Sequence, residues 1–284
     1  MKILFLGGKR ILGKSVIKKL IQIKGIKIFT LNRTKLEITH RNKNIQYLFG
    51  DRYNSEFLKF VLQKFNFDIV FDNNCYNFND FKKSFNIFKT KKKLFYIFTS
   101  SVISYLDFST IKIEEESVKK RLIKVHKKLP KELSLNKRKI EHFLFNQRKI
   151  KFCILKLHNI IGKNDHSNKT SYLKNFNSTS LKKLKIKKDS LLQFAFIEDI
   201  TNIISILIHR IIKKKKILNV YNIANDPMSY EELIRINLRN KSKKKVLEHS
   251  IIENIIVDNS RVKENLKYNY LNNKTVLNKL RKLK

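Results

Sequence analysis

Apolar positions along the chain fall into short continuous runs that alternate with helically spaced ones. Ile3, Leu4, Phe5 and Leu6 form a run of the length expected for a strand buried on both faces, and Gly7-Gly8 ends it. From there Ile11, Leu12, Val16, Leu20, Ile21 and Ile23 recur at helical spacing, with lysines on the opposite face. The alternation continues. Strand-like runs lie at 26–31, 45–49, 68–71, 94–99 and 152–157, and the stretches 56–65, 78–88 and 133–147 carry helical periodicity. This order predicts an α/β fold, a doubly wound parallel sheet whose ligands gather at the carboxyl ends of the strands.

The second half is less regular. Residues 162–188 are rich in Asn, Ser, Thr and Lys and read as a loop-rich segment. Residues 194–197 lead into Glu198-Asp199 and a helix through Arg210, and a short strand at 220–223 precedes a helix near Ser229. Ser229 and Glu232 have the spacing of a capping box. No internal repeat is visible, and 2 Pro and 6 Gly mark no linker between independent units.

The turn after the first run suits an anion. A pyrophosphate over Gly7, Gly8, Arg10, Ile11, Leu12 and Gly13 meets backbone N–H groups and the positive end of the helix dipole. Gly13, in the first helical turn, lets helix and strand approach closely. The middle position of the glycine spacing is Arg10, and Gly-Gly after a strand is often only a turn, so the pattern is weak by itself.

Composition adds bounds. A chain of 284 residues with 42% apolar content can bury a sizeable core. Cys75 and Cys153 are the only cysteines, which excludes a disulfide framework and a zinc spacing and fits a reducing compartment, cytoplasmic or other. The first apolar run is too short for a signal peptide, and no stretch is long and apolar enough for a membrane span. No metal-ligand constellation is present; Glu114-Glu115-Glu116 reads as a solvated acidic block.

Charge is less decisive. The 63 Lys+Arg against 23 Asp+Glu give a formal +40, enough to attract a polyanion at low salt. Lys, Asn, Ile and Phe are in excess, and all have codons of A and T alone, so an AT-biased genome yields this balance without any nucleic-acid ligand and is favoured over dedicated nucleic-acid binding as its cause. The basic clusters are scattered and not interleaved with aromatics as a stacking groove requires.

Several separated segments together resemble the extended short-chain dehydrogenase/reductases of the NAD-dependent epimerase/dehydratase type. Residues 6–13, LGGKRILG, look like the variant in which Arg replaces the middle glycine. Phe71-Asp72-Asn73-Asn74 resembles the end of the fourth strand, residues 98–105 the fifth strand with the active-site serine, and Asn159-Ile160-Ile161-Gly162 the stretch after the sixth. Phe196-Ile197-Glu198-Asp199 and 257–261 resemble later motifs. The resemblance implies a Rossmann-type domain over 1–162 and a smaller C-terminal region over 163–284, with segments near 194–223 packing back on the first.

It also implies roles. A nicotinamide dinucleotide is the expected cofactor, and Asn73 is expected beside its pyrophosphate, with Asp51 and Arg52 against the adenine. An acid at the end of the second strand would hold the ribose of NAD; here Asn32 removes that charge and Arg33 can pair with a 2′-phosphate, which favours NADP over NAD. A solvated Arg33 is the plain alternative. Ser101 takes the place of the substrate-orienting hydroxyl, and Lys137 that of the lysine below a catalytic Tyr. His158 and Asn159 fall at the height of the nicotinamide, where they would meet substrate; a histidine merely bonded to backbone is the other reading.

The catalytic Tyr itself is absent. Four residues before Lys137 stands Leu133, and no Tyr occurs between Tyr105 and Tyr172. Another acid, such as Ser134 or His126, is one answer, and epimerase- or dehydratase-like chemistry with a different base is a second. The third is a fold that binds a dinucleotide without redox chemistry, as in the chloroplast stem-loop RNA-binding proteins, which resemble the same family and lack the Tyr. The expectation is an oxidoreductase or epimerase acting on a nucleotide sugar or small carbonyl compound, with RNA binding as the alternative.

Overall fold

Seven parallel strands, in the order Val220–Ile223, Lys151–Leu157, Phe95–Ser101, Ile69–Asp72, Lys2–Leu6, Lys27–Asn32 and Ile45–Phe49, form the centre of the computed structural model. It describes residues 1–34, 42–91, 93–105, 112–113, 131–165, 167–184, 186–237 and 255–283. The first half of the chain gives β1 (Lys2–Leu6), α1 (Ile11–Leu20), β2 (Lys27–Asn32), β3 (Ile45–Phe49), α2 (Ser55–Lys64) and β4 (Ile69–Asp72). There follow α3 (Phe78–Phe88), β5 (Phe95–Ser101), a 3-10 turn (Val102–Tyr105), β6 (Lys112–Ile113), α4 (Lys131–Phe145) and β7 (Lys151–Leu157).

The second half adds β8 (Ile160–Ile161), α5 (Lys169–Asn175), α6 (Ser178–Leu184), β9 (Leu191–Leu192), β10 (Ala195–Phe196) and α7 (Ile197–Ile212). It ends with β11 (Val220–Ile223), β12 (Met228–Ser229), α8 (Tyr230–Asn237), β13 (Ile256–Val257), α9 (Ser260–Leu266) and α10 (Asn273–Arg281).

The continuous apolar runs follow from burial of the sheet on both faces. Ile3 and Phe5 of β1 join Val16, Leu20, Ile203 and Leu207 in one core, under α1 and α7. Leu4 and Leu6 point the other way, to Leu58, Val61, Phe81, Phe85, Ile140 and Leu144 of α2, α3 and α4. Phe5 stacks on Phe71 of β4 with ring centroids 4.6 Å apart. Each such side chain contributes about 1.5–3 kcal/mol on burial, so a one-residue slip of β1 is strongly disfavoured.

Helix starts follow local chemistry. The Asn54 side chain accepts from Phe57 N at 2.9 Å and Asn77 from Asn79 N at 2.8 Å, capping α2 and α3. At α8, Glu232 N donates to Ser229 Oγ at 3.0 Å, the Ser half of the expected capping box. The loop-rich reading of 162–188 is corrected: α5 and α6 occupy much of it. Such short helices show little periodicity. α5 is held instead by packing, with Tyr172, Leu173 and the following Phe176 buried in the core, and by Asp165, which accepts from Thr170 N at 2.8 Å; at α6, Asn177 Oδ1 accepts from Ser180 N at 3.0 Å.

The strand register sets the site. Leu6 lies level with Leu31 and with Asp72, so β1, β2 and β4 end together. Chain order reverses between β1 and β4, the place where an open parallel sheet leaves a crevice at its carboxyl edge.

Candidate functional site

The turn from β1 into α1 is built around two glycines. Gly7 has φ +91°, a left-handed conformation that other residues rarely adopt. A Cβ on Gly13 would lie 2.5 Å from the Gly7 carbonyl oxygen and 2.7 Å from Gly8 Cα. Only glycine fits there without moving α1 off β1. The Gly7 carbonyl is in turn held by Asn73 Nδ2 at 3.1 Å, and Asn73 Oδ1 accepts from Thr99 Oγ1 at 3.2 Å.

Arg10 is the N-cap of α1 in extended conformation, and its side chain makes no capping bond. The first helical bond runs from Lys14 N to Arg10 O at 2.9 Å, which leaves the amides of Ile11, Leu12 and Gly13 without an intrahelical partner. They form an uncapped, positively polarised helix end at the sheet's carboxyl edge.

Beside this turn is a cavity of about 380 Å³. Gly7, Lys9 and Arg10 form one side, Leu31 to Thr34 a second, Gly50, Arg52 and Tyr53 a third, and Asn73, Asn74 and Tyr76 the fourth. None of these lining residues is acidic. Asn32 is buried, and its Nδ2 has no hydrogen-bond partner among the described residues. A buried donor left unsatisfied costs about 1–3 kcal/mol, which a ligand acceptor in the cavity would relieve. Arg33 and Thr34 stand exposed at the mouth, and Lys9 Nζ reaches Thr34 Oγ1.

Arg52 lies under the cavity and is committed to the protein. Its guanidinium meets Asp72 at 2.6 Å through both terminal nitrogens and touches Asn74 at 3.1 Å. Tyr96 OH donates to the same carboxylate at 2.5 Å. Burial opposes ionisation of Asp72, but the guanidinium outweighs it and holds the carboxyl below its ordinary range. Asp51 is exposed, accepts from Tyr53 N at 3.0 Å and does not line the cavity.

Lys137 enters from α4. It is buried, donates to the Thr99 carbonyl at 2.8 Å, and sits 4.5 Å from the Phe98 ring centroid and 5.3 Å from that of Tyr76. Desolvation pulls its ammonium down to about 8. Leu133, one turn earlier, is half-buried, and Ser134 donates to the Ile103 carbonyl at 2.8 Å. Ser101 is half-buried at the end of β5, its Oγ accepting from Ile103 N at 3.3 Å. Glu141, a further turn along α4, pairs with buried Lys156 at 2.9 Å and so ties α4 to β7.

His158 uses both ring nitrogens on backbone: Nδ1 accepts from Asn159 N at 2.8 Å, and Nε2 faces the Ile255 carbonyl at 2.9 Å. Burial lowers its pKa to about 4, so the ring is neutral. The Asn159 carbonyl accepts from Ala195 N at 2.8 Å. Burial pushes the Cys75 thiol up to about 12, an inert group. His126 and Glu114 to Glu116 lie outside the described residues. Among the described residues no His, Cys, Asp and Glu group suits a metal, and no helix is long and apolar enough to cross a membrane.

The structure thus gathers Gly7, Arg10, Asn32, Arg33, Arg52 and Asn73 around one cavity. It adds Lys9, Thr34, Tyr53, Asn74 and Tyr76, which the sequence reading did not single out. Lys9 lies inside the glycine turn and was legible in principle; Tyr53 and Tyr76 follow strand ends at irregular positions that no periodicity marks.

No protein-family model and no curated protein matches the sequence. Solved structures do match in fold. The dTDP-glucose 4,6-dehydratase of Bacillus anthracis, in complex with NAD, superposes with a TM-score of 0.74 at 15% identity over 99% of this chain and 95% of that one. The UDP-glucose 4-epimerase of Thermotoga maritima, with UDP-glucose, gives 0.71 at 14% identity over 99% and 97%. The UDP-glucuronic acid 4-epimerase of Bacillus cereus, with NAD, gives 0.71 at 15% identity over 99% and 97%. The chain therefore has the Rossmann-like fold of the nucleotide-sugar epimerases and dehydratases along almost its whole length.

Proposed function

We propose that the chain binds a nicotinamide dinucleotide across the carboxyl edge of its sheet and acts as an oxidoreductase or epimerase on a nucleotide sugar or similar carbonyl compound. The observation that carries the reading is the Gly13 cradle, where a side chain would collide with backbone and an uncapped helix end faces a cavity. The unsatisfied Asn32 Nδ2 supports it as a waiting donor. The structural neighbours solved with NAD and UDP-glucose carry the same fold.

In this reading residues 1–162 hold the dinucleotide and 163–284 complete the substrate side. Main-chain amides of Ile11, Leu12 and Gly13 bind the pyrophosphate, and Asn73 keeps the turn in place. Asn32 meets the adenine ribose. With no acid lining the cavity and Arg33 and Lys9 at its mouth, the 2′-phosphate of NADP is preferred. Arg52 shapes the floor through Asp72. Ser101 orients substrate and Lys137 the far ribose, while His158, fully hydrogen-bonded, positions the Asn159 backbone. When bound, the dinucleotide supplies hydride exchange at its nicotinamide ring.

Calorimetric titration with NADPH and NADH tests the reading. One-to-one binding, tighter for NADPH, is expected. Absence of heat with both, alongside salt-sensitive binding to RNA, would replace it with the RNA-binding alternative.

A further inference from the structure

Tyr76, a tyrosine with about half its surface exposed, lines the cavity just beyond β4. Its ring stands 5.3 Å from the buried Lys137 ammonium. A cation at that distance from an aromatic ring attracts it, and does so more strongly when partly desolvated. The Lys137 Nζ is itself fixed by the Thr99 carbonyl. The half-exposed ring thus lines the cavity with a fixed positive charge over it.

Other proton-carrying groups nearby are committed elsewhere. Burial raises Tyr53 to about 12 and Cys75 likewise, Asp72 is held by Arg52, and both His158 nitrogens face backbone. Leu133 carries no transferable proton. Among the described residues Tyr76 is the half-exposed tyrosine that both lines the cavity and lies beside Lys137.

We propose that Tyr76 is the proton-carrying residue of this site and that Lys137 is its positioning residue, an inference that rests on the dinucleotide reading above. In carbonyl reduction a bound reduced dinucleotide would supply the hydride that reaches the carbonyl carbon. The C=O π pair moves to oxygen and takes the proton from Tyr76 Oη, so that an alcohol forms. The phenolate left behind is balanced by the Lys137 ammonium until water returns a proton. The reverse sequence oxidises an alcohol.

The test begins with calorimetry of the full chain and NADPH, since lack of binding defeats the dinucleotide reading itself. With binding established, N-acetylimidazole labelling read by mass spectrometry locates Tyr76. NADPH is expected to slow its acetylation roughly tenfold or more, and to protect it more than adenosine 2′,5′-bisphosphate, which lacks the nicotinamide half. Labelling of Tyr76 indifferent to NADPH overturns the assignment. Tyr76→Phe keeps the ring and removes the proton, so NADPH affinity is expected to hold while reduction of a panel of UDP-4-keto-hexoses slows roughly a hundredfold or more. Unchanged turnover in Tyr76→Phe, or a parent protein that binds NADPH yet reduces nothing in that panel, overturns it as well.

Discussion

Arg52 and Asp72 face each other as a bidentate pair, both contacts at 2.6 Å, beneath the floor of the cavity. The side chains are 5% and 0% exposed, so neither charge has water to fall back on. Asp72→Asn leaves a buried guanidinium uncompensated and is expected to cost about 3–5 kcal/mol, seen as a lower urea midpoint at pH 7. The carboxyl has a depressed pKa in the fold. Its contribution is therefore complete above the ordinary carboxylate value of about 4 and is lost as pH falls through the folded value. Repeating the unfolding near pH 3 should shrink the gap between parent and variant; a constant gap would contradict the pairing.

Gly13→Ala tests the cradle without adding charge. Its methyl group would press on the Gly7 carbonyl and Gly8 Cα, both backbone and unable to rotate away. A stability loss of about 1–3 kcal/mol is expected, together with weaker NADPH binding as α1 moves off the turn. Gly13→Glu should abolish binding. Native-like midpoint and affinity in both variants would show that the turn has room to spare.

Cofactor choice rests on two adjacent residues. Arg33→Ala should weaken NADPH binding about tenfold to a hundredfold and leave NADH nearly unchanged, because only the 2′-phosphate loses a charge-assisted partner. Asn32→Asp should shift preference toward NADH by pairing with ribose hydroxyls and repelling that phosphate. Competition titrations with both cofactors read the change; equal losses for NADH and NADPH would remove the basis for NADP preference.

His158 supplies a pH signature. Burial holds its folded pKa near 4, below the ordinary 6.5, so the unfolded chain binds the extra proton between these values. Stability from the neutral ring is thus complete above pH 6.5 and declines toward pH 4, by a few kcal/mol at most. Comparing urea unfolding of the parent and His158→Gln at pH 7 and pH 5 isolates this slope. An identical pH dependence in the two proteins would contradict the buried neutral assignment.

The parallel sheet was readable because its central strands are buried on both faces, so runs such as 3–6 and 69–71 leave an unbroken apolar signal. The glycine turn was readable for a related reason, since Gly13 has one steric explanation. Other parts depend on contacts distant in sequence. Nothing near Arg52 announces that Asp72, across the crevice, will take its charge, and nothing near Tyr76 announces Lys137 of α4. The helix α5 falls in the same class, being fixed by the burial of Tyr172 and of Phe176 at its end and not by periodicity.

The central claim is that main-chain amides at the start of α1 hold a dinucleotide pyrophosphate. Backbone amide resonances of nitrogen-15-labelled protein, followed while NADPH is added to saturation, test it most directly. Gly8, Ile11, Leu12 and Gly13 should shift together along one binding curve. Saturable NADPH binding with those four amides unmoved would contradict it.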